Sequence, residues 1–235
     1  RGRNKMFFCF FIKFISENLF SEIFCLCLNL CYHFYMKRYA FIDVQNTATT
    51  TQKLLGFIVD WHKLCKYLKE KWDCEKIFFY SGIDEGDTET AKEFDTLSKN
   101  GCIVRAKTVF AYKKSDKTIS IKCVECGKDN IEVVDMGYNR KSNCDVDLTV
   151  DCMEEAGIDK EFLIFTGDGD FEYLIRKVVE KGTKVYVVSS NAGVRKPGIN
   201  TKRFSTKLKK LIDENRGKVN LIEINNWKMQ IKKQV

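Results

Sequence analysis

From Met36 onward, short apolar runs alternate with longer stretches of helical periodicity, and this alternation limits the fold more than any other feature of the sequence. Strand and helix units that alternate in this way build a mostly parallel sheet with helices packed on its faces. At 235 residues and 44% hydrophobic content, the chain can form one such domain but not a second full one. We therefore expect a three-layer α/β/α, Rossmann-like domain over residues 36–235.

The pattern also predicts individual elements. Strands are expected at residues 39–43, 76–80, 102–109, 161–165, 184–188 and 219–224, and helices at 51–72, 89–99, 143–156, 171–181 and 206–213. Residues 118–134 alternate around CVECGKDN, which predicts a β-hairpin insertion. A basic loop is expected after the fifth strand.

Residues 1–35 differ from the remainder in composition, since they are rich in Phe, Cys and Leu. Lys13, Glu17 and Glu22 interrupt the apolar run, which makes it a poor membrane span and a poor signal peptide. Met36 opens a short basic lead into the first strand, as a normal start would. We expect residues 1–35 to be an apolar extension outside the native domain, with an amphipathic membrane anchor as the alternative.

Carboxylates follow two of the predicted strands. Asp43 ends the first strand with Asn46 three residues on, and Asp168 and Asp170 follow the fourth in LIFTGDGDFEYLI. In open α/β sheets, ligands bind beyond the carboxyl ends of strands where the strand order reverses, and Asp145, at the start of a helix, can join this edge. Clustered carboxylates repel one another unless a hard cation neutralises them. We therefore expect Mg²⁺ or Mn²⁺, which suits phosphodiester hydrolysis; for any single aspartate, capping of the next helix is the alternative.

The charge pattern favours an anionic partner, since 40 Lys and Arg against 32 Asp and Glu leave a net charge of +8. The stretch VRKPGINTKRF after the fifth strand has no acidic residue and should begin at the same edge as the carboxylates. Its basic residues are candidates for contact with a nucleic acid backbone: Arg195, Lys196, Lys202 and Arg203. A merely solvated basic face is the alternative.

Eleven cysteines are spaced irregularly in a domain-sized chain, so we expect reduced thiols and a cytoplasmic location. Cys123 and Cys126 are similar to half of a zinc knuckle at the tip of the hairpin. Structural zinc needs four ligands, so Cys102, Cys144 or a second subunit in a homo-oligomer would have to complete the site. Two reduced surface thiols are the alternative.

Three segments, FIDVQN, KSNCDVDLTVD and FTGDGDFEYLIRKVVEKGTKVYVVS, resemble the signature segments of NYN-domain proteins, a branch of the PIN-like nuclease superfamily. The resemblance covers residues 38–225 and implies a PIN-like fold with ribonuclease activity. It also implies phosphate contact by Lys141. The implied divalent-metal ligands are Asp43, Asp145, Asp168 and Asp170, with Asn46 assisting. One departure is Val44, where the family usually has glycine.

Three functions remain open from the sequence. The first is a metal-dependent endoribonuclease acting on single-stranded RNA. The second is a noncatalytic RNA-binding protein with the PIN-like fold. The third is a haloacid-dehalogenase-like phosphatase, because DVQNT and GDGD partly resemble that family's motifs. Gln45 argues against the phosphatase, since glutamine cannot supply the general acid needed at that position.

Overall fold

Helices and the strands of the central sheet follow one another along the chain much as the sequence predicts, with the exceptions described below. The computed structural model describes residues 36–142, 144–196 and 199–234. The first half comprises β1 (Lys37–Asp43), α1 (Val44–Lys53), α2 (Trp61–Trp72), β2 (Cys74–Ile83), α3 (Thr88–Lys99), β3 (Ile103–Thr108), β4 (Phe110–Lys113), β5 (Lys117–Lys122), β6 (Asp129–Val134) and β7 (Tyr138–Lys141). The second half comprises α4 (Asp145–Glu155), β8 (Lys160–Phe165), a 3₁₀ turn (Gly169–Phe171), α5 (Glu172–Glu180), β9 (Lys184–Ser189), β10 (Gly193–Lys196), β11 (Ile199–Lys202), α6 (Thr206–Glu214), β12 (Val219–Glu223), a second 3₁₀ turn (Ile224–Trp227) and α7 (Lys228–Ile231).

Internal contacts divide the chain into two units, residues 1–37 and 38–235. The predicted apolar extension, residues 1–35, lies outside the described residues. Within the ranges that the structure describes, no helix is both long enough and apolar enough to cross a lipid bilayer.

A six-stranded sheet with the order β12-β9-β8-β1-β2-β3 forms the centre of the second unit. The β12–β9, β9–β8, β1–β2 and β2–β3 neighbours run parallel. From β1 the chain winds outward through β2 and β3, and its later strands β8, β9 and β12 extend the sheet in the other direction. The order therefore reverses between β1 and β8, the kind of position at which open α/β sheets bind ligands.

The sheet is buried on both faces, which explains the uninterrupted apolar runs of its strands. Along β1, Ala40 and Ile42 pack into one core, whereas Tyr39 and Phe41 pack into the other. Helices α1, α2, α3 and α7 supply side chains to the first core, and helices α4, α5 and α6 supply them to the second. The expected three-layer α/β/α architecture is confirmed.

The single helix expected over residues 51–72 is wrong, because the chain breaks between α1 and α2. Gly56 adopts a left-handed backbone conformation with φ of +67°, which glycine accepts without steric penalty. The connecting segment then pairs with the C-terminal region, where the Asp60 N–H donates to the Ile231 carbonyl at 2.8 Å and the Lys233 N–H donates to the Ile58 carbonyl at 2.8 Å. Asp60 also caps α2 by accepting from the Lys63 N–H at 3.0 Å.

The predicted hairpin insertion is confirmed and is larger than expected. Strands β5 and β6 pair as an antiparallel outer hairpin, and β4 and β7 pair as an antiparallel inner ribbon. The Val109 N–H donates to the Ile83 carbonyl at 2.9 Å, which joins the inner ribbon to the end of β2. The basic loop expected after β9 contains a further antiparallel pair, β10 and β11.

Candidate active site

A cavity of about 600 Å³ opens at the carboxyl edge of the sheet, where β1 and β8 meet. Three of the four predicted metal-binding aspartates line it, and they come from three separate elements: Asp43, Asp145 and Asp168. Asn46 and Arg203 line the same cavity. Folding therefore brings together acidic side chains that lie more than a hundred residues apart in sequence.

Asp43 is the most deeply placed of these carboxylates. Its Oδ1 accepts a hydrogen bond from the Asn46 N–H at 3.0 Å, so it caps α1 as well as ending β1. The pKa of Asp43 is raised to about 6, chiefly by burial and further by the charges of Asp145 and Asp168, while the hydrogen bond from the Asn46 amide opposes the increase. The cavity thus holds mutually repelling negative charge that a bound cation would relieve.

Asn46 connects the two central strands of the site. Its side-chain Oδ1 accepts from the Gly167 N–H at 2.9 Å, which ties α1 to the loop that follows β8. A Cβ at Gly167 would lie 2.8 Å from the Arg203 carbonyl oxygen and 2.9 Å from Ser189 Oγ. This close packing explains the first glycine of the GDGD segment and holds the Arg203 backbone beside the carboxylates.

Asp168 and Asp170 have different positions although only one residue separates them. Asp168 Oδ1 accepts from the Asp170 N–H at 3.0 Å and so caps the 3₁₀ turn that begins at Gly169. Both residues are exposed, but Asp168 lines the cavity and Asp170 is not among the cavity's lining residues. Asp168 therefore caps the turn and also lines the cavity, while metal binding by this carboxylate stays a prediction.

Asp145 is the first residue of α4, a position at which the helix dipole favours a negative charge. The helix itself is anchored by Asp151, whose carboxylate accepts from the Tyr80 hydroxyl at 2.8 Å and from Arg105 Nε and Nη2 at 3.1 and 3.2 Å. Burial raises the pKa of Tyr80 well above its usual value, so its hydroxyl acts as a donor. This network fixes α4, and hence Asp145, against β2 and β3.

The structure describes the side chain of one of the predicted basic residues, Arg203. Arg203 is exposed and lines the cavity. Lys141 ends β7 opposite Phe110, and the other three lie in the β10–β11 pair. The side chains of Lys141, Arg195, Lys196 and Lys202 lie outside what the structure describes.

Sequence reasoning missed Asp84 and Lys53, which also line the cavity. Asp84 follows directly after β2, so FFYSGID repeats the pattern of an apolar strand followed by an aspartate that identified Asp43. That signal could have identified Asp84. Lys53 lies at the end of α1, more than two turns from Asp43, and no local motif marks it.

The donor set fits a hard divalent cation, because the carboxylate and amide oxygens that line the cavity are the ligands that Mg²⁺ and Mn²⁺ prefer. In the described ranges, no group of three or more His, Cys, Asp or Glu side chains is arranged to hold a metal ion directly. Mg²⁺ usually keeps several waters and is held by one or two carboxylates. The cavity therefore suits a hydrated ion, with Asp43, Asp145 and Asp168 as its anionic surroundings.

Cys123 and Cys126 lie in the turn of the outer hairpin, where the Gly127 N–H donates to the Cys123 carbonyl at 3.0 Å. The backbone N–H of Cys126 lowers the pKa of the Cys123 thiol. Cys102 lies 2.8 Å, sulfur to sulfur, from Cys65, and Cys144 is buried beside α4. Since the described residues offer no group of three such ligands, zinc at this pair would need ligands from elsewhere.

Comparison with known proteins identifies the family of this chain. A family model, the NYN domain, matches residues 38–213. The low amplitude and bright protein LabA of Synechococcus elongatus is 25% identical over 154 residues, which is 64% of this chain and 72% of LabA. The crystal structure of a protein of unknown function from Vibrio parahaemolyticus has the same fold, with a TM-score of 0.51 and 19% identity over 81% of this chain and 96% of that one. Because the family model matches well over half of its length, this chain belongs to the NYN domain family.

Proposed function

We propose that the protein is a metal-dependent endoribonuclease that hydrolyses phosphodiester bonds of RNA with a Mg²⁺ or Mn²⁺ ion held at the carboxyl edge of the sheet. The observation that carries the proposal is the convergence of Asp43, Asp145 and Asp168 on one cavity. Membership of the NYN domain family supports a nuclease-type activity. The net charge of +8 supports a polyanionic substrate.

Each residue has a distinct task in this proposal. A bound ion would polarise the phosphoryl oxygen and lower the pKa of a bound water. Asp43, Asp145 and Asp168 supply the negative charge that attracts the cation. Asn46 holds the loop of Asp168 in place through the Gly167 amide, and Arg203 offers a guanidinium to the substrate phosphate, a group that it can bind through two parallel hydrogen bonds.

Separate arguments support a proposed location and a proposed partner. The cysteines of the described residues are all free thiols, which supports a reducing compartment, and we propose the cytoplasm. We propose single-stranded RNA as the partner, since bases in a duplex are already stacked and paired.

The test is cleavage of a labelled single-stranded RNA with Mg²⁺ or Mn²⁺ by the wild type and by Asp43→Asn. Asparagine keeps the cap of α1 but removes the charge, so we expect cleavage to fall at least about hundredfold while RNA binding persists. Asp159→Asn is the matched control, because Asp159 is exposed and precedes β8 at the opposite edge of the sheet. Its activity should equal that of the wild type.

Three results would contradict the proposal. If the wild type binds RNA but no divalent ion produces cleavage, the protein is a noncatalytic RNA-binding member of the family. If it hydrolyses small phosphomonoesters and leaves RNA intact, it is a phosphatase. Equal loss of activity in Asp43→Asn and Asp159→Asn would show that the cavity is not the site of the reaction.

A further inference from the structure

We propose that Phe110 and Tyr112 on the inner ribbon form a stacking platform for the bases of single-stranded RNA that enters the cavity. This inference rests on the proposed function and names the substrate contacts of the same site.

The inner ribbon begins and ends at the cavity. Val109 precedes β4 and Ser142 follows β7, and both residues line the cavity together with Asp43 and Asp145. A Cβ at Gly82 would lie 2.6 Å from the Ser142 Cβ and 2.8 Å from the Val109 Cγ2, so both ends of the ribbon pack closely on the end of β2. A strand bound along the ribbon would therefore lead directly to the carboxylates.

Phe110 and Tyr112 lie two residues apart on β4 and thus on the same face of the ribbon. Their spacing along the strand is about 7 Å. They are 62% and 61% exposed, in contrast to Phe41 and Phe78, which stack on one another inside the sheet core. Neighbouring exposed aromatic side chains mark a binding surface far more often than an isolated exposed residue does.

The charge of the inner ribbon favours nucleic acid over a protein partner. Strands β4 and β7 contain three basic residues and no acidic residue: Lys113, Arg140 and Lys141. In the backbone register, Phe110 pairs with Lys141 and Tyr112 with Asn139. By this register Lys141 is on the same face of the ribbon as the two rings, whereas Lys113 and Arg140 are on the opposite face. Exposed rings on a basic ribbon are the combination that binds single-stranded nucleic acid, where bases stack on rings and phosphates meet cations.

A base-paired duplex does not fit this surface. Bases within a duplex are stacked on each other, so their faces are not available to side chains, whereas single-stranded RNA can place its bases on aromatic rings. The platform therefore selects single strands over duplexes. It also explains how an anionic polymer can bind beside a cavity lined by aspartates, since most of the binding affinity comes from contacts outside the cavity.

The experiment measures binding of a fluorescent RNA of about ten nucleotides and of the matching strand that lacks bases. The full chain with Asp43→Asn serves as the background, so that cleavage does not interfere. In this background, Phe110→Ala with Tyr112→Ala should lose roughly thirtyfold in affinity for the RNA and nothing for the abasic strand. Phe110→Tyr with Tyr112→Phe keeps both rings and should bind as the background does.

The matched control is Ile131→Ala with Val133→Ala, which removes exposed apolar side chains from the outer hairpin and should leave both affinities unchanged. Unchanged RNA affinity in the double alanine variant, or equal losses of affinity for the RNA and the abasic strand, would overturn the platform. A stable protein complex or self-association that depends on the two rings, while RNA binding does not, would also overturn it.

The two proposals fail separately. If the wild type cleaves RNA while ring removal has no effect on RNA binding, only the platform proposal is wrong. If ring removal abolishes base-dependent binding but no metal supports cleavage, only the nuclease proposal is wrong.

Discussion

The carboxyl edge of the central sheet and the inner ribbon that extends from it are built in opposite ways. At the sheet edge, side-chain oxygens of Asp43, Asn46 and Asp168 each accept a hydrogen bond from a backbone amide. On the inner ribbon, Phe110 and Tyr112 leave most of their surface in water. The acidic side chains are thus held by the same contacts that form the fold, whereas the aromatic side chains are not.

This difference separates two tasks. Chemistry on a phosphodiester needs groups held to within fractions of an ångström, and the sheet edge supplies such rigidity through caps and buried strands. Recognition of a flexible strand needs exposed rings and charges, which the ribbon supplies at little cost to folding. Substitutions at the two regions should therefore affect different measurements.

A large loss of stability is expected for Asp151→Ala. The substitution leaves the Tyr80 hydroxyl buried without its acceptor and removes the partner of Arg105. We expect the free energy of unfolding, measured in urea, to fall by about 3 kcal/mol. Asp147→Ala on the same helix removes only a partly exposed ion pair with Lys107 and should cost less than about 1 kcal/mol. Equal losses would show that α4 is not anchored through Asp151.

Gly167→Ala should reduce cleavage by about hundredfold, because the added Cβ would press on the Arg203 carbonyl and on Ser189 Oγ and displace the loop that carries Asp168. The matched control is Gly157→Ala, where the nearest atom to the new Cβ lies 3.9 Å away. Single-turnover cleavage rates of the two variants distinguish the cases. Retained activity in Gly167→Ala would mean that the position of this loop does not matter for the reaction.

Asp43→Asn should stabilise the metal-free protein at pH 7 while it abolishes activity. The pKa of Asp43 is about 6 in the folded protein against 3.8 for the free group. The folded protein therefore resists ionisation of this carboxyl, and the free energy of unfolding of the wild type falls as pH rises from about 4 through 6. Allowing for solvent screening at the cavity mouth, the gain in the variant is about 2 kcal/mol at pH 7 and vanishes below about pH 4. Urea unfolding at both pH values checks this, and a variant less stable than the wild type at pH 7 would contradict it.

The smallest effect on stability is expected on the ribbon. Tyr112→Ala removes an exposed ring and should change the free energy of unfolding by less than about 0.5 kcal/mol. Phe41→Ala, which opens a cavity in the fully buried sheet core, should cost about 3–5 kcal/mol. A large loss for Tyr112→Ala in urea unfolding would show that the ribbon packs against something in the folded chain and is not a free binding surface.

Much of the sheet edge could be predicted from the sequence, because a buried strand that ends in an aspartate is visible as an apolar run followed by a carboxylate. Asp43 and Asp168 were found in this way. Asp84 shows the same pattern, but the polar residues that follow it are equally typical of a loop. That Asp168 and not Asp170 faces the cavity depends on the geometry of one 3₁₀ turn, which spacing alone does not reveal.

Two features of the fold could not be predicted from local patterns of apolar and polar residues. The break between α1 and α2 depends on Gly56 and on pairing with the distant C-terminal segment, while the apolar periodicity runs on past it. The β10–β11 pair forms in a basic stretch that lacks the apolar alternation of a half-buried strand. In both cases the deciding interactions are long-range or backbone-based, so side-chain patterns do not record them.

The proposed function requires that the carboxylates of the cavity bind a divalent cation. A crystal soaked in Mn²⁺ near pH 7, above the pKa of Asp43, tests it through the anomalous scattering of manganese. We expect an anomalous peak in the cavity among Asp43, Asp145 and Asp168, and its loss in Asp43→Asn. If the wild type shows no peak in the cavity, or if the peak persists unchanged in the variant, the cavity is not a divalent-metal site.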